Sequence, residues 1–296
     1  MTNQTLTKQP RAILVDGSSF LYRAYHALPP IKNTQGVLVN AIHGVSVMLH
    51  KLIRDNPIDH ICVVFDAQGQ NFRHELYAQY KADRPAMPED LRDQVKPLHE
   101  VIGAMGLPII IEQGVEADDT LGALARYAER QGYSVTIVTS DKDMAQLVTD
   151  NITLENTMTN TRMDINGVIA KFGVKPGLIA DYLALIGDSV DNIPGVEKVG
   201  PKTATKWLSQ YGSLENLMAH ADEISGKVGE NLRASLTHLP LSKQLTTIKC
   251  DLGLPYMMTD LRRTAVDNNK LRGFAVEFGF PIKVPTGYVT EASRFL

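Results

Sequence analysis

Residues 12–20 read AILVDGSSF: four apolar residues, an acid, then a glycine and two serines before the next apolar side chain. A short apolar run closed by a small polar cluster predicts a buried strand that turns at Asp16 into a helix. The same order of residues returns in HICVVFD (60–66) and VTIVTSD (135–141), and a further run, PIII, begins at Pro108. Amphipathic patterns over 40–56 and 116–131 separate these runs. Strands spaced by helices mean a parallel sheet with crossover connections. Gly132 falls where a helix C′ residue belongs. The fold class expected is α/β, with a central, mostly parallel sheet flanked by helices.

Between Asp66 and Pro88 the text changes to GQNFRHELYAQYKADRPAM, polar and aromatic, with Arg73, Lys81 and Arg84. Weak periodicity there predicts a mobile insertion over the sheet edge, about residues 68–90. From about Ile165 the pattern is mostly helical, through 176–187, 202–211, 213–221 and 230–249, with a last helix near 268–278. The division expected is a core over 1–164, a helical subdomain over 165–283, and a tail or linker over 284–296.

A chain of 296 residues, 44% hydrophobic, can bury a large core. The opening MTNQTLTKQP has no apolar stretch, and no window approaches the roughly 20 apolar residues of a membrane span, so a cytoplasmic protein is expected. Cys62, inside an apolar run, and Cys250 show no metal-ligand spacing and read as free thiols in a reducing compartment.

Acids mark the strand ends. Asp16, Asp66, Glu116, Asp118, Asp119, Asp141 and Asp143 stand where strands or a loop run into helices, and Asp188 and Asp191 follow an apolar helix. In open α/β sheets chemistry gathers at the carboxyl ends of strands, and so many carboxylates in one crevice repel unless cations lie between them. All candidate ligands are hard oxygens without paired His or Cys, which favours Mg²⁺ or Mn²⁺ over Zn²⁺. Each acid alone has an ordinary reading as a turn former or helix cap. Glu116 and Asp119, three apart, are expected to share a face, with Asp118 turned aside. Asp141 and Asp143 are expected to project together from an extended segment, with Lys142 pointing away. Asp16 is followed by Gly17 and Ser18 rather than by a second acid two residues on, which disfavours aspartyl-phosphate chemistry. The formal net charge is −3, and with those nine acids set aside the remainder is net positive, so a polyanionic partner is not excluded.

GVEKVGPKTA (195–204) looks superficially like a phosphate loop, but Pro201 separates Gly200 from Lys202 and no strand precedes it. Read as helix, hairpin, helix over about 186–211, it puts Pro201 in a first helical turn and leaves N–H groups around Gly200, Lys202 and Thr203 to meet a backbone phosphate. Lys198, Lys202 and Lys206 favour that reading over an ordinary turn between helices.

Taken together, LVDGSSFLYRAYHA, VVFDAQGQNFRHELYAQYKADRPAMPEDL, GVEADDTLGALA, SDKDMAQLV and LALIGDSVDNIPGVEKVGPKTA resemble the 5′ nuclease family that includes flap endonucleases, most closely the N-terminal 5′–3′ exonuclease domains of bacterial DNA polymerase I. The similarity runs from Ile13 to about Phe280. It implies a PIN-like core with a helical arch insertion and a helix-hairpin-helix in the C-terminal helices. It also implies structure-selective, two-metal hydrolysis of DNA, or of primer RNA on DNA, beside a 5′ flap, nick or 5′ end. Asp16, Asp66, Glu116 and Asp118 would then serve mainly one ion, and Asp141, Asp143 and Asp188 a second, with Asp119 and Asp191 close by. Lys81 and Arg84 would steer the scissile phosphate, flanked by Arg23 and Tyr80. Gly195, Lys198, Gly200, Lys202, Thr203 and Lys206 would grip duplex, with K⁺ at the hairpin. A monomer associated with the bacterial nucleoid is implied, either a domain excised from a polymerase or a free-standing nuclease. The rivals are a ribonuclease with a related acidic core, which the long helical half disfavours, and a non-catalytic DNA-junction module, which the complete acidic set disfavours.

Overall fold

In the computed structural model, which describes residues 9–284, the first strand lies inside the sheet rather than at its edge. β1 (Arg11–Asp16) leads into α1 (Gly17–Ala27) and α2 (Asn40–Asp55), then β2 (His60–Asp66), a short α3 (Phe72–Leu76), α4 (Glu89–Ala104) and β3 (Ile109–Glu112). α5 (Ala117–Arg130) carries the chain back to β4 (Ser134–Val138), a 3₁₀ turn over Asp143–Leu147, β5 (Ile152–Asn156) and β6 (Thr161–Met163). The sheet order is β3-β2-β1-β4-β5-β6, parallel except for the last pair. The direction of winding reverses between β1 and β4, and the carboxyl ends of those strands therefore splay around a crevice. Asp16, the last residue of β1, stands at that point.

Alternation in β1 divides the interior. Ile13 and Val15 face a core built with α1, α2, α4 and the last helix, while Leu14 faces α5 and most of the second half. The remaining helices are α6 (Ile165–Phe172), α7 (Ile179–Ile186), α8 (Pro201–Tyr211), α9 (Leu214–Ala219), α10 (Gly226–Ser235), α11 (Leu239–Thr246) and α12 (Asn268–Phe278). Side-chain oxygens of Asp164, Ser213 and Asp267 cap α6, α9 and α12. Leu183, Trp207, Leu217 and Leu232 of this half join one cluster with Leu14, Leu121 and Ile137. α12 instead returns to the opposite face, where Leu271 and Phe278 pack with Ile53 and Leu98. One hydrophobic cluster therefore draws on residues from both sides of position 165.

Several expectations need correction. The helical pattern over 230–249 is two helices, because the chain breaks at Leu236–His238 and Pro240 fits only a first turn. β5 and β6, too short and polar to announce themselves, extend the sheet. The insertion after β2 holds one five-residue helix, and it is tethered rather than loose: Asn192 donates to the Gln79 carbonyl and the Lys81 N–H to that of Asp191, at 3.0 and 3.1 Å. Residues 1–8 and the tail beyond 284 lie outside the described residues. Among those described, no helix is long and apolar enough to cross a membrane.

Candidate metal centre

The crevice at the strand ends is a cavity of about 280 Å³. Asp16, Asp66, Glu116, Asp118, Asp141, Asp143 and Asp191 line it, facing Lys81 and Arg84. β1 and β2 deliver Asp16 and Asp66, the start of α5 delivers Glu116 and Asp118, and the turn after β4 delivers Asp141 and Asp143. Asp16 is buried: its carboxylate accepts the Ser19 N–H at 2.8 Å and the Thr139 hydroxyl at 2.7 Å. Asp66 accepts the Ala117 N–H at 2.8 Å, and its own N–H is held by the Ser18 hydroxyl. Ser18, Ser19, Tyr22, Thr139 and Ser140 were not singled out from sequence, although the Gly-Ser-Ser and Thr-Ser that follow two strands were visible signals.

Electrostatically the acids do not form one uniform set. Burial pushes the Asp16 carboxyl up to about 6 and that of Asp143 up to about 7, with neighbouring acids adding to both. Asp118 is driven well above the usual range by burial and then by Asp141, Asp16 and Asp66. Burial would also raise Glu116, but Lys81 and Arg73 outweigh it and hold that carboxyl below the usual range. Asp143 Oδ1 is buried with no hydrogen-bond partner. Among the described residues the carboxylates ring the cavity, and no three His, Cys, Asp or Glu side chains close on one point in coordinating geometry. A buried carboxylate oxygen without a donor, in a ring of acids that raise one another, still fits a site for hard divalent cations.

Asp119 departs from its expected place. It is fully buried and grips Arg73 through both oxygens, at 2.6 and 2.8 Å, while Asp118 turns into the cavity. The reason is the cap. Glu116 precedes the helix with extended backbone, so a spacing of three across that junction does not preserve a helical face. The chain after β4 is likewise not extended, since the Asp143 N–H folds back on Asp141 at 2.8 Å and Lys142 meets Asp188 at 3.2 Å. Asp188 stands off the cavity lining. Asp191 lines it but pairs with Arg84 at 2.7 Å.

The cations divide as well. Lys81 contacts Glu116 and lies 3.8 Å from Asp191, on backbone with φ of 54°. Tyr80 is buried and donates to Glu116 at 2.9 Å, so it orients that acid rather than presenting an open face to a phosphate. Arg23 does not line the cavity. It points toward α2 and the β5–β6 turn, contacting Met48 and donating to Thr157 at 3.0 Å. In the 195–203 segment Gly195 backs onto Gly187, whose φ is 72°; a Cβ on Gly195 would lie 2.4 Å from the Gly187 nitrogen. Lys198, Lys202 and Lys206 are exposed there. The Thr203 N–H is not free, because it donates to the Gly200 carbonyl at 3.0 Å.

Two family models match, the 5′–3′ exonuclease N-terminal resolvase-like domain over residues 11–173 and the 5′–3′ exonuclease C-terminal SAM fold over 174–269. A 5′–3′ exonuclease of Aquifex aeolicus is 40% identical over 259 residues, 88% of this chain and 89% of the relative. A DNA polymerase I of Pseudomonas aeruginosa is 50% identical over 258 residues, 83% of this chain but only 28% of the relative's length. Among solved structures, the bacteriophage T5 D15 flap endonuclease, described as a pseudo-enzyme-product complex with DNA and metal ions, matches with a TM-score of 0.69 at 21% identity, covering 81% of this chain and 89% of that one.

Proposed function

The chain belongs to the 5′–3′ exonuclease family, and from that premise we propose that it hydrolyses phosphodiesters of DNA, and of primer RNA on DNA, at 5′ ends, nicks and 5′ flaps beside duplex. The observation that carries the reading is one cavity in which seven carboxylates face Lys81 and Arg84 at the carboxyl ends of β1, β2 and β4. Asp16, Asp66, Glu116, Asp118, Asp141 and Asp143 would hold Mg²⁺ or Mn²⁺, with Asp188 and Asp191 behind them. Bound there, such ions acidify a water and offset charge on phosphoryl oxygens.

The protein's own groups do the rest. Thr139 and the Ser19 N–H fix Asp16, and Tyr80 fixes Glu116. Lys81 and Arg84 exchange a carboxylate partner for the scissile phosphate, a charge-assisted contact that strengthens as the phosphoryl oxygens gain charge. The product keeps a 5′ phosphate. The turn over 195–203, with Lys198, Lys202 and Lys206, grips duplex backbone without reading bases, and would hold a K⁺ beside the backbone phosphate. The reading covers a monomer in a bacterial cytoplasm, with the nuclease core over 1–164 and the duplex-binding helices over 165–283, the unit either free-standing or joined to a polymerase region.

Cleavage of an end-labelled flap, a nicked duplex and a single strand in Mg²⁺ tests this. Flap and nick should be cut and the single strand spared. Asp141→Asn should abolish cutting while leaving the fold intact. Equal cleavage of all three substrates, or an active Asp141→Asn protein, would overturn it.

A further inference from the structure

We infer that α11 is a brace that sets which phosphodiester is cut, and that Arg73 and Ser242 are positioning residues for that register. The inference rests on the reading above, with the acidic cavity as the nuclease centre and residues 195–203 as the duplex grip. Midway along α11 the Ser242 hydroxyl donates to the Pro194 carbonyl at 2.6 Å, and at the start of the helix His238 Nε2 lies 3.3 Å from the Gly195 carbonyl oxygen. At the other end the carbonyls of Leu245 and Thr247 accept from Arg73 Nε and Nη2, each at 2.9 Å. The same guanidinium grips Asp119 through two hydrogen bonds and reaches Glu116 at 3.3 Å. Asp119 closes the loop by accepting the N–H groups of Glu116 and Lys249, at 3.1 and 2.8 Å.

A continuous line of hydrogen bonds therefore runs from the grip, along one helix, to an acid of the cavity. Its side chains are buried: Arg73 is 3% exposed, while Asp119 and Ser242 are at 0%. Packed interiors of this kind transmit position rather than absorb it. Ser242 lines neither the acidic cavity nor the larger one beside it, so its part is to hold geometry.

Geometry matters because backbone contacts carry no sequence information, and a nuclease that holds duplex this way can choose a bond only by its distance from the grip. Phosphates of one strand recur about every 3.4 Å along the helix axis. A misplacement of about 1 Å can cost on the order of a hundredfold in rate, so a slack brace lets the neighbouring bond compete. Lysine at position 73 would keep the charge but lose the fork that holds Asp119 and two carbonyls together.

The test maps product lengths at single-nucleotide resolution for the whole chain, Ser242→Ala and Arg73→Lys, on a doubly labelled flap in Mg²⁺ under single turnover, with melting temperatures in parallel. The parent should give one dominant product. Both variants should raise the share cut at adjacent bonds by about threefold or more, because the register has loosened. A residue that only added stability would lower the melting temperature and leave the product ladder unchanged. Should Arg73→Lys fail to fold, Ser242→Ala decides, since it removes a single hydroxyl. An unaltered ladder in Ser242→Ala overturns the brace, and failure of the parent to cut the flap at all overturns the nuclease reading beneath it too.

Discussion

Asp119 and Asp143 are both acids next to the same cavity, and their surroundings give them opposite work. Asp119 has every oxygen engaged by Arg73 and backbone N–H groups, whereas Asp143 keeps a buried oxygen without a donor. Asp119→Asn should destabilise by about 3–5 kcal/mol, because it leaves a buried guanidinium under-paired. Asp143→Asn should leave stability equal or slightly higher in EDTA, since a like charge is removed, yet lower Mg²⁺-dependent cleavage on the order of a thousandfold. Chemical denaturation and single-turnover rates separate the two; a destabilised Asp143→Asn or a stable Asp119→Asn would reverse the assignments. Lys81 is only 18% exposed and pairs with Glu116, so it is not a solvated surface charge whose removal costs little. Lys81→Ala should instead slow cleavage roughly a hundredfold while duplex affinity in Ca²⁺ falls only a few-fold, because the contact strengthens in the transition state. Equal losses in rate and binding would make Lys81 a docking residue. The acids themselves were legible in the sequence because they follow apolar runs. Their division of labour was not, since it depends on Arg73, which arrives from an insertion whose own pattern is weak.

Elements were legible where periodicity was long and opaque where it was short. The strand runs over 60–66 and 135–138 and the helices α2, α5 and α12 stand within a residue or two of where their patterns place them. The two-residue-period stretches of β5 and β6 are too brief to separate from loop, and α10 and α11 run together on paper because Pro240 breaks a helix only when its register is known. The turn before α8 was legible through Gly200-Pro201, but its packing came from two glycines eight residues apart, Gly187 and Gly195, whose backbones touch. That close approach fixes the presentation of Lys198, Lys202 and Lys206. Lys202→Ala should therefore weaken duplex binding and reduce the slope of log affinity against log salt by about one phosphate contact, with single-strand binding little changed. An unchanged slope on duplex would mark the segment as a turn between helices and nothing more.

At the scale of the whole molecule the acidic ring makes stability depend on pH with an unusual sign. Carboxyls with raised folded-state values, such as Asp16 at about 6 and Asp143 at about 7 against an ordinary 3.8, hold protons in the native protein that the unfolded chain has released. Native protein then binds more protons than unfolded, so in EDTA stability should fall as pH rises from about 4 to about 7, by on the order of a few kcal/mol. Saturating Mg²⁺ should flatten the fall, because cation binding favours the ionised native form. Urea midpoints across that range, with and without the ion, check both; a rise through the same window in EDTA would contradict the burial of these acids.

The line from Arg73 to the carbonyls of Leu245 and Thr247 also bears on biosynthesis. A ribosome releases the strands and their acids first, but Arg73 gains its last acceptors only after Thr247 has cleared the exit tunnel. A partly made chain would thus carry the acids of a cutter without the fastening that seats Glu116. Nascent chains stalled before that point should cut a flap more slowly than chains stalled well after it.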